Sequence, residues 1–149
     1  MKYYIDCEFD GHRGKLLSIA MVREDGVSMH HDTMQPASDP WVRENVVPIM
    51  NKHEAEHWSI GGGYHMTGYM LREFIGDDEH PVIISDSPVD IARFTQAITT
   101  NVTGDWQTSG YPRMTFEVHN VDCYPTTLEN AVQHNAWWDA MALREKLRD

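Results

Sequence analysis

The run Tyr3-Tyr4-Ile5-Asp6-Cys7-Glu8-Phe9 constrains the fold more than any other segment. It is apolar enough to enter a core as a strand, yet it carries two carboxylates near its end. Successive side chains of a strand point to opposite faces. Asp6 and Glu8 therefore share one face, while Ile5, Cys7 and Phe9 share the other. Two acids at i and i+2 on the end of a central strand can share a hard cation such as Mg²⁺ or Mn²⁺.

The segments that follow supply partners for this strand. Residues 2–6 are predicted as the first strand and 15–23 as a second, rich in Leu17, Ile19, Met21 and Val22. Glu24-Asp25-Gly26 carries the Asp-Gly hairpin signal. Residues 26–33 then return as a third strand, completing an N-terminal meander. Asp39-Pro40 predicts a helix start, with Asp39 at the N-cap and Pro40 at the first helical position. That helix should run through Trp41, Val42 and Val46 as far as Pro48. A further helix is expected from about residue 52 to the glycines at 61–63. Residues 66–75 place Met66, Met70, Leu71 and Phe74 on one helical face. Residues 81–85 read as a buried parallel strand. Ser87-Pro88 opens a helix carrying Ile91, Phe94 and Ile98. Residues 114–121 predict a fifth strand and 136–148 a last helix. The fold class that results is α/β: a mixed central sheet of about five strands with helices on both faces.

The 149 residues suit one domain, 1–149, and show neither repeats nor an evident linker. No apolar run is long enough to span a membrane. Charge interrupts the first residues at once, unlike a signal peptide. Cys7 and Cys123 form neither a ligand spacing nor a disulfide framework, so reduced, core-packed thiols of a cytoplasmic protein are expected. The formal net charge of −11 disfavours tight, non-specific binding of long duplexes, because nucleic-acid binders usually carry a basic footprint. Carboxylates that hold divalent cations would offset part of that deficit. Arg144, Lys146 and Arg148 cluster near the C-terminus, whereas Arg93 and Arg113 stand apart.

Two further clusters complete a candidate site. Asp86 and Asp90 flank the start of the helix after the 81–85 strand. His134 and Asp139 stand in His134-Asn135-Ala136-Trp137-Trp138-Asp139-Ala140. A helix can present Asp139 to a metal while the preceding loop brings an imidazole to an attacking water, and histidine titrates near neutral pH. Taken singly, Asp6-x-Glu8 reads as a solvated pair, His134 as a loop histidine or a helix cap, and Asp139 as a helix-face acid.

Taken together, Asp6-x-Glu8-Phe9, Asp90-x-x-x-Phe94 and the His134-x-Ala136-x-x-Asp139-Ala140 run resemble, in order and context, the motifs of the DEDDh 3′–5′ exonucleases. These include ribonuclease T, oligoribonuclease and the proofreading subunits. The stretch Trp41-Val42-Arg43-Glu44-Asn45-Val46-Val47-Pro48 is further similar to a small mycobacterial-type exoribonuclease branch. The resemblance covers essentially the whole chain. It implies a ribonuclease-H-like fold and a 3′–5′ exoribonuclease that acts on single-stranded RNA 3′ ends and releases nucleoside 5′-monophosphates. A proofreading-type exodeoxyribonuclease acting on DNA is the alternative. It implies two divalent cations, Mg²⁺ or Mn²⁺, held by Asp6, Glu8, Asp90 and Asp139. One would activate water and the other would stabilise the leaving oxygen, with His134 as general base. A homodimer in which one subunit lends basic residues to the other is also in keeping with such enzymes. The chain departs from the family where the second motif has Asn and a bulky aromatic: here stand Asp86 and Val89. Asp86 therefore rivals Asp90, and the motif spacing favours Asp90 as the ligand. Asp86 and Phe9 become candidate substrate contacts, together with Asp10, Gly11 and His12.

One competing motif belongs to another chemistry. His53-Glu54-Ala55-Glu56-His57 is a literal H-E-x-x-H, which on a helix would bind zinc and activate water for a metalloprotease. Ile60 and Gly63 stand where an extended metzincin pattern needs Gly and His. The plainer expectation is an exposed helix. A non-catalytic binding module remains a further alternative, but it has no need of His134. His30, His31 and His65 are expected in surface or turn positions.

Overall fold

The computed structural model describes residues 1–101, 103–106 and 113–148. Their elements run β1 (Lys2–Phe9), β2 (Leu16–Arg23), β3 (Ser28–Asp32), α1 (Pro40–Asn45), β4 (His57–Ile60), α2 (Gly63–Ile75), β5 (Val82–Ser85), α3 (Pro88–Ile98), β6 (Thr115–Val118) and α4 (Ala136–Lys146). The six strands form one mixed sheet in the order β4-β3-β2-β1-β5-β6. The β1–β2 and β2–β3 pairs are antiparallel, and β3–β4, β1–β5 and β5–β6 are parallel.

Local chemistry accounts for the meander and the helix starts. Gly26 turns the β2–β3 hairpin at φ +100°, a conformation that glycine adopts without a Cβ clash. Asp39 caps α1 by accepting from the Val42 N–H at 3.0 Å, and Ser87 caps α3 by accepting from Val89 at 3.2 Å. Proline follows each cap, as expected.

Sheet alternation divides the core. Tyr3, Ile5 and Cys7 join Ile19, Met21, Met29 and Ile83 beneath α2 and α3, packed with Leu71, Ile75 and Phe94. The opposite face meets α4: Ala20 and Val22 pack on Ala136, Trp137 and Ala140, while Tyr4 and Ile84 pack on Ala142 and Leu143. Helices thus cover both faces, and α4 lies over the face that carries Asp6 and Glu8. Both cysteines are buried and free.

The structure corrects four expectations. The helix from residue 52 does not form. Residues 57–60 instead add β4 to the open edge of β3, with Met29 opposite His57 and Asp32 opposite Ile60. Charged residues gave that stretch a helical look, but strand pairing outweighs such weak propensities. The sheet accordingly has six strands rather than about five. The third correction concerns His30 and His31, which are fully buried within β3 and not in surface or turn positions. The first helix also stops earlier than expected, at Asn45. No helix of the described residues is long and apolar enough to cross a membrane.

Candidate metal centre

The site begins at the middle of the sheet. β1 has antiparallel β2 on one side and parallel β5 on the other, so β1 and β5 point to the same rim, with β1 running on past the end of β5. Crevices outside the carboxyl ends of strands are the usual binding places of α/β sheets. Tyr4 pairs with Ile84; two residues on stand Asp6, still within β1, and Asp86, just past the end of β5. The Ser87 cap then turns the chain into α3, whose first turn carries Asp90. α4 crosses the same face and brings Asp139 in its own first turn.

Five carboxylates converge in this way. Ligand atoms of Asp6, Glu8 and Asp139 all lie within 4.8 Å of one another, and so do those of Asp6, Asp86 and Asp90. Asp6 belongs to both sets. Among the described residues, no ion pair reaches any of the five; the pairs present are Met1–Asp78, Arg23–Asp25 and Glu117–His119.

This concentration of acid has an electrostatic signature. Burial, then the charges of Asp90, Asp139, Glu8 and Asp86, push the Asp6 carboxyl well above the ordinary range. Burial, reinforced by Asp139 and Asp90, also raises Glu8. Asp90 is raised by burial despite a 2.9 Å hydrogen bond from Ser85 Oγ. Asp139 is raised by burial although Tyr124 and the His134 N–H both donate to it. Asp86 is raised by burial as well. Each shift shows a site that resists holding its full negative charge without a counter-ion.

Asp139 is held on both oxygens. Tyr124 donates its hydroxyl to Oδ1 at 2.7 Å, and the His134 N–H donates to Oδ2 at 3.0 Å. His134 has φ +66°, a left-handed backbone that non-glycine residues seldom adopt. Its ring is exposed and meets Trp41 edge-on, with centroids 5.1 Å apart. His134 does not cap α4. Asn135 does, accepting from Trp137 and Trp138, while its amide donates to the carbonyls of Ile49, Met50 and Lys52.

The remaining sequence candidates fall elsewhere. Phe9 packs on the α2–α3 side, with the Arg93 guanidinium 5.4 Å from its ring centroid. Asp10 accepts from the Ser38 and Asp39 backbone and so anchors the start of α1. Gly11 takes a left-handed turn at φ +71°. Arg144, from the basic C-terminal cluster, is engaged with the Glu24 carbonyl. The H-E-x-x-H histidines part company: His53 stacks on His30 with ring centroids 4.1 Å apart, whereas His57 sits on the other face of the sheet beside Phe74. Zinc-binding geometry on a helix is therefore absent from this segment.

Tyr124, Asn135 and Ser85 were missed as site residues by sequence reasoning. An Asn immediately before a helical run was a usable cap signal for Asn135. Ser85 ends a strand one residue before Asp86, and its contact with Asp90 needed the turn geometry. Tyr124 lies 15 residues from Asp139 in an irregular connection, with no periodic signal.

A cavity of about 110 Å³ opens at the cluster, lined by Asp6, Asp86, Asp139, Cys123, Tyr124 and Gln133 among others. A larger cavity of about 280 Å³ lies on the opposite side, among Arg23, Val27, Met29, His57, Met70, Glu73 and Phe74. Its mostly apolar lining contains no cluster of ligand atoms, so its size does not make it the chemical centre. Compared with known proteins, the chain matches no family model and no curated protein.

Proposed function

We propose that this chain is a divalent-metal-dependent 3′–5′ exoribonuclease with a ribonuclease-H-like fold. The observation that carries this reading is the convergence of five carboxylates from three segments at one sheet rim, without a cationic partner among the described residues. The β3-β2-β1-β5-β6 order, antiparallel in the meander and parallel beyond it, supports the fold assignment.

The donor set suits the group. All five ligands are hard oxygens, as Mg²⁺ and Mn²⁺ prefer, and the two overlapping sets share Asp6. Asp6, Glu8, Asp90 and Asp139 would hold the two cations, with Asp86 as a further oxygen donor beside them. When bound, the cations supply Lewis acidity to the attacking water and to the leaving 3′ oxygen.

The chain's own residues do the rest. His134 accepts the proton of the attacking water at an imidazole nitrogen. Its left-handed backbone and the N–H bond to Asp139 hold the His134 main chain beside the carboxylate cluster, while the exposed ring lies against Trp41. Ser85 holds the Asp90 carboxylate through Oγ. Asn135 fixes the start of α4 to the 49–52 segment, and with it the turn that carries His134. RNA as substrate and 5′-monophosphates as products follow from the motif resemblance.

Degradation of 5′-labelled single-stranded RNA and DNA in Mg²⁺, Mn²⁺ or EDTA tests the proposal. The expected result is stepwise shortening from the 3′ end, faster on RNA, and none in EDTA. Activity that survives complete metal removal would overturn it. Faster shortening of DNA would replace the exoribonuclease by its deoxyribonuclease alternative.

A further inference from the structure

We infer that Tyr124 is a positioning residue that holds Asp139 in its metal-binding orientation; this rests on the two-cation reading of the site. A carboxylate oxygen has two lone pairs, and a phenol has one hydrogen to give. Tyr124 gives its hydrogen to Asp139 Oδ1 at 2.7 Å, and the His134 N–H gives its own to Oδ2 at 3.0 Å. One donor on each oxygen fixes the plane of the carboxylate. One lone pair per oxygen remains, and a ligand atom of Asp139 already lies within 4.8 Å of those of Asp6 and Glu8.

The two donors are unequal as anchors. The His134 N–H sits on an exposed turn, whereas Tyr124 is half-buried and packs on Tyr4, Ile84, Cys123, Ala142 and Leu143. Its own N–H is bound to Asp122 at 3.0 Å. A phenol held by the core on one side and by Asp139 on the other transmits core rigidity to the ligand. Outer partners of this kind orient the groups that touch a metal, and losing one commonly costs about 10–100-fold in affinity or activity.

Tyr124→Phe removes the hydroxyl and keeps the ring. Mn²⁺ titration of the metal-free full chain, by calorimetry or electron paramagnetic resonance, reads the effect without substrate. The expected result is Mn²⁺ affinity weakened by about 10–100-fold, with the melting temperature in EDTA close to that of wild type. In RNA cleavage, the variant should need more Mn²⁺ for half-maximal rate, while KM for RNA at saturating metal stays unchanged. Wild-type Mn²⁺ affinity in Tyr124→Phe overturns the inference, even if RNA cleavage by the wild type confirms the nuclease. A variant that only melts earlier also overturns it, because that result marks a packing role. If wild type binds Mn²⁺ but leaves RNA intact, and Tyr124→Phe still weakens the binding, the positioning role stands and the nuclease reading falls. Failure of wild type to bind Mn²⁺ overturns both.

Discussion

Two regions of this sheet bury ionisable groups without a counter-ion, and they resolve the cost differently. Within β3, His30 has no exposed surface, and neither of its ring nitrogens has a partner among the described residues. Burial, with the neighbouring His53 and His31, pushes its pKa down to about 3, and His31 is lowered to about 4 by burial. At neutral pH these rings are uncharged, so the region resolves its problem by losing protons. At the ends of β1 and β5 the five carboxylates become neutral only in part: burial raises Glu8 to about 8, Asp90 to about 7 and Asp139 to about 6, so the cluster straddles neutral pH. The first region is uncharged at pH 7, whereas the second keeps part of its negative charge, which makes one a packing feature and the other a candidate metal site.

The largest expected effect is removal of a shared ligand. Asp6 belongs to both ligand sets, so Asp6→Asn should cut RNA hydrolysis by at least ~10³-fold, beyond the 10–100-fold typical of outer partners. Asp90→Asn should come next, and Asp86→Asn should lose less turnover and less Mn²⁺ affinity than Asp90→Asn. A collapse confined to Asp86→Asn would reverse the roles of the two acids. Steady-state rates and metal isotherms on the three variants decide this.

His134→Gln should lower turnover by about 10²–10⁴-fold, the range for a positioned acid–base group. Metal binding should persist because every carboxylate remains. Since Asn135 rather than His134 caps α4, the melting temperature should hardly move. Unfolding of the variant, with wild-type turnover in the folded fraction, would make His134 structural.

Stability against pH separates the two regions directly. A carboxyl whose folded pKa is raised favours the folded state when protonated, so its contribution is lost as pH rises through the folded value. Glu8 reaches about 8, and Asp6 is raised also. A histidine whose folded pKa is depressed acts the other way: its destabilising effect appears as pH falls below the unfolded value of 6.5. Between pH 6.5 and about 8 only the carboxylates act. The melting temperature in EDTA should therefore fall with rising pH across that window, and Mn²⁺ should flatten or reverse the slope. Below pH 6.5 the two groups oppose each other in EDTA, because the unfolded chain protonates His30 and His31 while the folded rings stay neutral; with Mn²⁺ holding the carboxylates, stability should fall as pH drops. Equal slopes in EDTA and Mn²⁺ would break the contrast between the two regions.

What the sequence disclosed follows from how local each signal is. The Asp-Gly turn, the Asp39 and Ser87 caps and the alternation of β1 are local, and the structure has them where the sequence puts them. The facing of Asp6 and Glu8 follows from strand period alone. β4 was hidden because its pairing with β3 is a contact between distant residues, and Glu54 and Glu56 give the segment a helical composition. The burial of His30 was hidden for a related reason: a polar ring in the middle of a sheet is decided by what covers it, here α4 and the 53–58 segment. The support of Asp139 by Tyr124 was out of reach because an irregular connection carries no period.

The smallest expected effect tests the motif that the fold took apart. His53-Glu54-Ala55-Glu56-His57 suggests zinc only if both histidines face one way, as on a helix. In the structure His53 lies against His30 and Trp58, and His57 lies beyond the sheet beside Phe74. No third ligand completes either environment among the described residues. The double variant His53→Ala with His57→Ala should therefore leave RNA hydrolysis within about twofold of wild type and confer or remove no peptidase activity. Its cost should be confined to stability, about 1 kcal/mol, because His53 surrenders a stacked contact and His57 only an exposed one. Chemical denaturation measures that cost, and labelled RNA measures the rate. Loss of all hydrolysis in this variant, with Asp6→Asn fully active, would move the chemistry from the carboxylate rim to the histidine edge and invert the comparison.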